Sequence, residues 1–160
     1  MRIAEIAVIG AGTKERDIFI QSICQKLELT NDNVTFGRLP INDQLVLHLY
    51  GIAALPNGQA PAWDLIARKM LGYIVLFPWQ NNEAFERLKP VVDYLSTRYD
   101  APMVVAAHLS GKTQPVPSAL SAEGITLTPE GKLTFCDVRN PASARKILVT
   151  LIDSLLAKMP

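Results

Sequence analysis

The stretch Ile3-Ala4-Glu5-Ile6-Ala7-Val8-Ile9-Gly10-Ala11-Gly12-Thr13-Lys14-Glu15-Arg16-Asp17 decides how the rest of the chain reads. Ile3 to Ile9 is a short apolar run rich in β-branched residues, and Gly10-Ala11-Gly12 ends it, so a strand enters a tight loop. Beyond the loop, Ile18, Ile20, Ile23, Cys24 and Leu27 recur at helical spacing, with Asp17 placed to cap the helix. Strand, glycine turn and amphipathic helix together open an α/β sheet, in which ligands bind beyond the carboxyl ends of the strands.

Working outward, Val34 to Leu39 and Leu45 to Tyr50 read as a hairpin turning at Asn42-Asp43. Residues 51–61 carry Gly, Pro and Asn without periodicity and form a loop, after which Trp63, Ile66, Ala67 and Met70 mark a helix. Tyr73 to Phe77 and Met103 to Ala107 are continuous apolar runs, the pattern of strands buried on both faces. Between them Asn82 to Arg98 is helical, with Phe85, Leu88, Val92 and Leu95 on one side and a kink or weak turn at Pro90. Residues 110–130 form a loop with room for a short turn near Leu120, and Lys132 to Cys136 is the last strand. Asn140-Pro141 then opens a helix through Ile147, Leu148, Leu151, Leu155 and Leu156, with proline in the first turn where it is tolerated. The order predicts an α/β fold: a mostly parallel six-stranded sheet with one antiparallel edge strand and helices on both faces.

The chain has 160 residues, 49% of them hydrophobic and 19% charged, which suits a single domain spanning residues 1–160. A net charge of +1 supplies no field for non-specific nucleic-acid or membrane-surface binding. No run of 18 apolar residues exists, so no membrane span is expected, and the N-terminal run lacks the shape of a secretory signal. Cys24 and Cys136 each sit in an apolar stretch and read as buried thiols in a reducing compartment, so a cytoplasmic protein is expected.

A phosphate-binding loop would read G-x-x-x-x-G-K-[ST]. Counted from Gly10, the last three positions here are Glu15, Arg16 and Asp17. The G-x-G-x-x-G pattern of dinucleotide sites fails as well, because Glu15 stands where its third glycine belongs. Glu15 adds bulk and negative charge where backbone amides would close on phosphate. Arg16 keeps a cation in fork geometry, and Asp17 replaces the hydroxyl that would ligate Mg²⁺. Two unit charges about 5 Å apart repel by roughly 3 kcal/mol at an effective dielectric near 20, on the order of a hundredfold in affinity. Conversely, Glu15 and Asp17 can supply from the chain itself the negative charge that a helix N-terminus attracts. A self-capped loop that folds without nucleotide is the expectation.

Val34-Thr35-Phe36-Gly37-Arg38-Leu39 with Gln44-Leu45-Val46-Leu47-His48-Leu49-Tyr50-Gly51 resembles the switch I strand and the following strand of bacterial Ras-like small GTPases of the gliding-motility (MglA-like) type. Leu71-Gly72-Tyr73-Ile74-Val75-Leu76-Phe77 looks like their L-G-x-V-V-L-V strand, and Phe135-Cys136-Asp137 like their C-D-A motif. The resemblance covers nearly the whole chain and implies a Ras-like G domain, a P-loop NTPase-like fold with its fourth helix shortened. It departs at the chemistry. The family's T-P-G-Q motif binds Mg²⁺ and the γ-phosphate and orients water, but here Gly51 is followed by Ile52-Ala53-Ala54-Leu55, and Gln59 falls four residues later. The guanine-reading N-K-x-D falls at His108-Leu109-Ser110-Gly111, without its Asp, and the switch I threonine falls near Thr30 or Asn31. The resemblance therefore implies a pseudo-GTPase acting as a protein-interaction module, with no catalytic residues, no cofactor and a roadblock-type partner.

The alternative reading is a residual GTP- or NTP-binding protein with slow Mg²⁺-dependent hydrolysis. In it, Gly10, Gly12, Lys14, Arg16, Asp17, Cys136 and Asp137 would hold GTP or GDP with Mg²⁺. A mononucleotide or dinucleotide binder of another α/β type is a third. No metal site is expected, since His48 and His108 lack partners at ligand spacing, and no G-x-S-x-G elbow is present. Leu55, Pro56, Pro78 and Trp79 flank the regions matching the switches and form the expected partner-binding surface, whereas Trp63 reads as a core anchor of its helix.

Overall fold

In the computed structural model β1 (Arg2–Gly10) runs up the middle of an eight-stranded sheet. The described residues are 2–10, 13–24, 27–31, 34–53, 70–78, 102–108, 125–128, 131–136 and 139–158, with Glu83, Glu86, Lys89, Pro90 and Val92. The remaining strands are β2 (Leu27–Asn31), β3 (Val34–Pro40), β4 (Leu45–Ala53), β5 (Gly72–Pro78), β6 (Met103–His108), β7 (Ile125–Thr128) and β8 (Gly131–Cys136). Their order across the sheet is β2-β3-β4-β1-β5-β6-β8-β7. Five adjacent strands, β4, β1, β5, β6 and β8, are parallel, while β3 is antiparallel to β4 and β7 to β8.

The α/β class and the mostly parallel sheet are as the sequence implies. Among the described residues the sheet holds eight strands where six were expected, and β3 is not its edge. β2 pairs antiparallel outside β3, and β7 closes the other margin. Leu27, read as the end of a helical stripe, begins β2, and β7 lies within the stretch read as a loop.

Two bounded helices, α1 (Thr13–Ile23) and α2 (Pro141–Lys158), pack on one face and touch each other. Ile6 and Val8, Leu47 and Leu49, Ile74 and Leu76, Val104 and Ala106 point into this face, where Phe19, Ile20, Ile147, Leu148 and Leu151 meet them. Each fully buried side chain of that size contributes about 2 kcal/mol of transfer free energy. The alternate residues Ala7, Ile9, Val46, Tyr73, Val75, Phe77, Met103, Val105 and Ala107 are buried too, so much of the opposite face is covered as well. Pro90 is helical, as are Glu83, Glu86, Lys89 and Val92.

Local chemistry sets the start of α2. Asn140 Oδ1 accepts the Ala142 and Ser143 amides at 2.9 and 3.3 Å, and Pro141 occupies the first helical position, where no amide is needed. In the β3–β4 hairpin, Asn42 Oδ1 accepts the Gln44 amide at 2.7 Å. That turn fixes the register Thr35 opposite Gly51, Phe36 opposite Tyr50 and Arg38 opposite His48. Among the described residues no helix is long and apolar enough to cross a membrane.

Candidate functional site

Gly10 ends β1 level with Ala53 of β4 and Leu76 of β5, at the carboxyl end of the parallel strands. α1 starts at Thr13, ahead of Ile18, the first helical position that Asp17 as a cap would set. Asp17 is thus inside the helix, past the cap position expected for it. Asp17 Oδ1 accepts the Arg16 Nε–H at 3.0 Å and the Thr35 hydroxyl at 2.9 Å.

Arg16 is 2% exposed. It lies one turn before Ile20 on the face of α1 that meets the sheet, and its stem runs over Gly51. A Cβ on Gly51 would stand 2.9 Å from Arg16 Cδ and would also collide with Thr35 Oγ1. Glycine at this place is therefore a requirement of the arginine's path. The Asp17 side chain is 30% exposed, so one end of the ion pair reaches water while the other is enclosed. A guanidinium taken out of water costs several kcal/mol unless it is paired, and the Arg16 Nε–H is paired with Asp17 Oδ1. Arg16, Asp17, Thr35 and Gly51 form one tie between α1 and the ends of β3 and β4.

The other expected site residues fall as follows. Cys136 ends β8 level with His108 of β6, at the same end of the sheet as Gly10 but three strands away, roughly 14 Å. Pro78 ends β5, also level with His108. Lys14 is placed by its backbone in the first turn of α1. Gly12, Asp137, Leu55, Pro56, Trp79 and Trp63 lie outside the described residues. Sequence reading missed Thr35 and Gly51 as partners of Asp17 and Arg16. The hairpin register centred on the Asn42-Asp43 turn was the signal that pairs those two positions.

Both cysteines are free and buried. Burial pushes the Cys24 thiol up to about 11, so it is protonated at neutral pH and a poor nucleophile. Among the described residues no three of His, Cys, Asp and Glu stand together as metal ligands. No protein-family model matches the chain, and no curated protein sequence matches it.

Proposed function

We propose that the chain is a Ras-like G-domain scaffold whose phosphate loop has become a structural tie, a pseudo-GTPase that works through protein contacts. The observation that carries the reading is the single oxygen Asp17 Oδ1, which accepts from both Arg16 and Thr35. The stem of Arg16 lies against Gly51 and its Nε–H is turned to Asp17, and the carboxylate standing where a Mg²⁺-ligating hydroxyl is needed is already engaged. These residues do not fit a magnesium–triphosphate group. Further support comes from the strands β3-β4-β1-β5-β6-β8, a mostly parallel set with β3 running against it, the arrangement the resemblance implies. A roadblock-type protein is the partner class that goes with the reading, and Pro78 marks the described part of the surface offered to it.

The test is thermal unfolding with GTP, GDP or ATP and Mg²⁺. A ligand at a hundred times its Kd stabilises by about 2.7 kcal/mol, several degrees for a chain of this length. No shift is expected up to roughly 1 mM nucleotide. A clear rise at micromolar GTP would instead support residual nucleotide binding.

A further inference from the structure

The sheet face away from α1 and α2 carries a patch that the loop chemistry does not use. Ala4, Ile6 and Val8 of β1 pack toward the helices, so Ile3 and Glu5 project from the other face. Strand register sets three rows there: Ile3 with Val46 and Pro40, Glu5 with His48 and Arg38, and Ala7 with Tyr50 and Phe36. The Phe36 ring meets His48 edge-on at 4.9 Å between centroids and lies 5.3 Å from Tyr50. Leu71 continues the Glu5 row, its amide donating to the Glu5 carbonyl at 2.9 Å.

Ala7 and Val46 in these rows are buried, and the patch is open around them. Ile3 is 55% exposed and Leu71 48%. Arg38 and Pro40 are exposed, while Glu5, Phe36, His48 and Tyr50 are half-buried. Of the large apolar side chains exposed among the described residues, Ile3, Ile41 and Leu71 gather at this end of the sheet, and Val149 alone lies elsewhere, on α2. Clustered exposed apolar groups rimmed by charge mark contact surfaces.

Charge selects the occupant. The middle row runs carboxylate, imidazole, guanidinium from β1 to β3, with Glu5 and Arg38 two strand spacings apart, about 10 Å. A twofold axis lying along the strands, in the plane between two such faces, sets Glu5 opposite Arg38 of the partner subunit and Ile3 opposite Pro40 of the partner subunit. An axis across the strands would set like charges together, which is disfavoured. Facing sheets keep their strands within about 30° and stand about 10 Å apart, room enough for the Phe36 and His48 rings.

We propose that this face of β1, β4 and β3 binds a second copy of the chain as a symmetric dimer. The proposal stands whether or not nucleotide binds. The patch is small beside standard interfaces, so the dimer is of the weak, micromolar class.

Sedimentation equilibrium of the full chain from about 1 to 200 µM tests it, and a reversible monomer–dimer equilibrium is expected. Glu5→Arg and Arg38→Glu should each weaken association at least about tenfold, and the double charge swap should restore it to within about threefold of wild type. Thermal unfolding of each variant confirms that it folds. A chain monomeric throughout that range, single variants that associate like wild type, or a folded double variant that does not recover, overturns the proposal. So does a chain that is monomeric alone and uses this face for a different protein.

Discussion

The Thr35 hydroxyl donates to Asp17 Oδ1 at 2.9 Å, joining β3 to a helix residue eighteen positions earlier in the chain. The same oxygen takes the Arg16 Nε–H at 3.0 Å. One carboxylate thus holds a buried cation and a strand at once.

Asp17→Ala should cost about 2 kcal/mol, because it removes the one oxygen that accepts from both the enclosed Arg16 Nε–H and the Thr35 hydroxyl, and Thr35→Val about 1 kcal/mol. The double variant should lose less than the sum, since both act on one network. Urea unfolding of the three proteins measures this, and strict additivity would count against a shared tie.

Gly51→Ala forces a methyl group against Arg16 Cδ and Thr35 Oγ1. A loss of about 1–3 kcal/mol is expected, smaller in a Thr35→Ala background where part of the crowding is gone. Thermal unfolding of the pair of variants reads the coupling.

Replacing Glu15→Gly and Asp17→Ser removes two carboxylates from the first half of α1, including the one that accepts from Arg16 Nε–H. If acidic groups are what exclude phosphate, affinity for a nucleoside triphosphate should rise at least about a hundredfold over wild type. Isothermal titration with GTP and Mg²⁺ checks it. An unchanged affinity in a folded variant would place the obstacle elsewhere.

Alkaline pH offers an independent probe of the core. Burial raises Cys24 from 9.0 to about 11. Tyr50 is also raised, by burial first and then by the negative charge of Glu5. Below about pH 8 both groups are protonated in the folded and unfolded chain, and neither affects stability. As pH climbs from 9 toward 11 the unfolded chain gives up its thiol proton first, so the folded state loses stability, with Tyr50 adding to the loss above about 10. Cys24→Ala should flatten the lower part of that decline and Tyr50→Phe the upper part, in unfolding free energies measured from pH 8 to 11.5.

The parallel core was legible because Tyr73 to Phe77 and Met103 to Ala107 carry unbroken apolar runs that little else in a chain of this length could accommodate. The margins were not. Leu27 satisfies both the helical stripe begun at Ile18 and the alternation of Leu27-Glu28-Leu29, and tertiary pairing with Gly37 decides for the strand. Ile125-Thr126-Leu127-Thr128 alternates as a strand should, but four residues inside a stretch rich in Pro, Ser and Gly gave periodicity too little length to register. At the site the unusual residues could be found by counting from Gly10, while their partners could not. Whether Asp17 faces an amide, a phosphate or a hydroxyl depends on how α1 lies across β3, which no local pattern encodes.

The two margins also bear on solubility. Each ends in a short strand, β2 and β7, and each outer pair slips register, between Leu29 and Asn31 on one side and between Thr126 and Thr128 on the other. Such irregularities bend a border strand out of line with any incoming chain and discourage endless growth of the sheet into fibres. An eight-stranded platform can then stay discrete at high concentration.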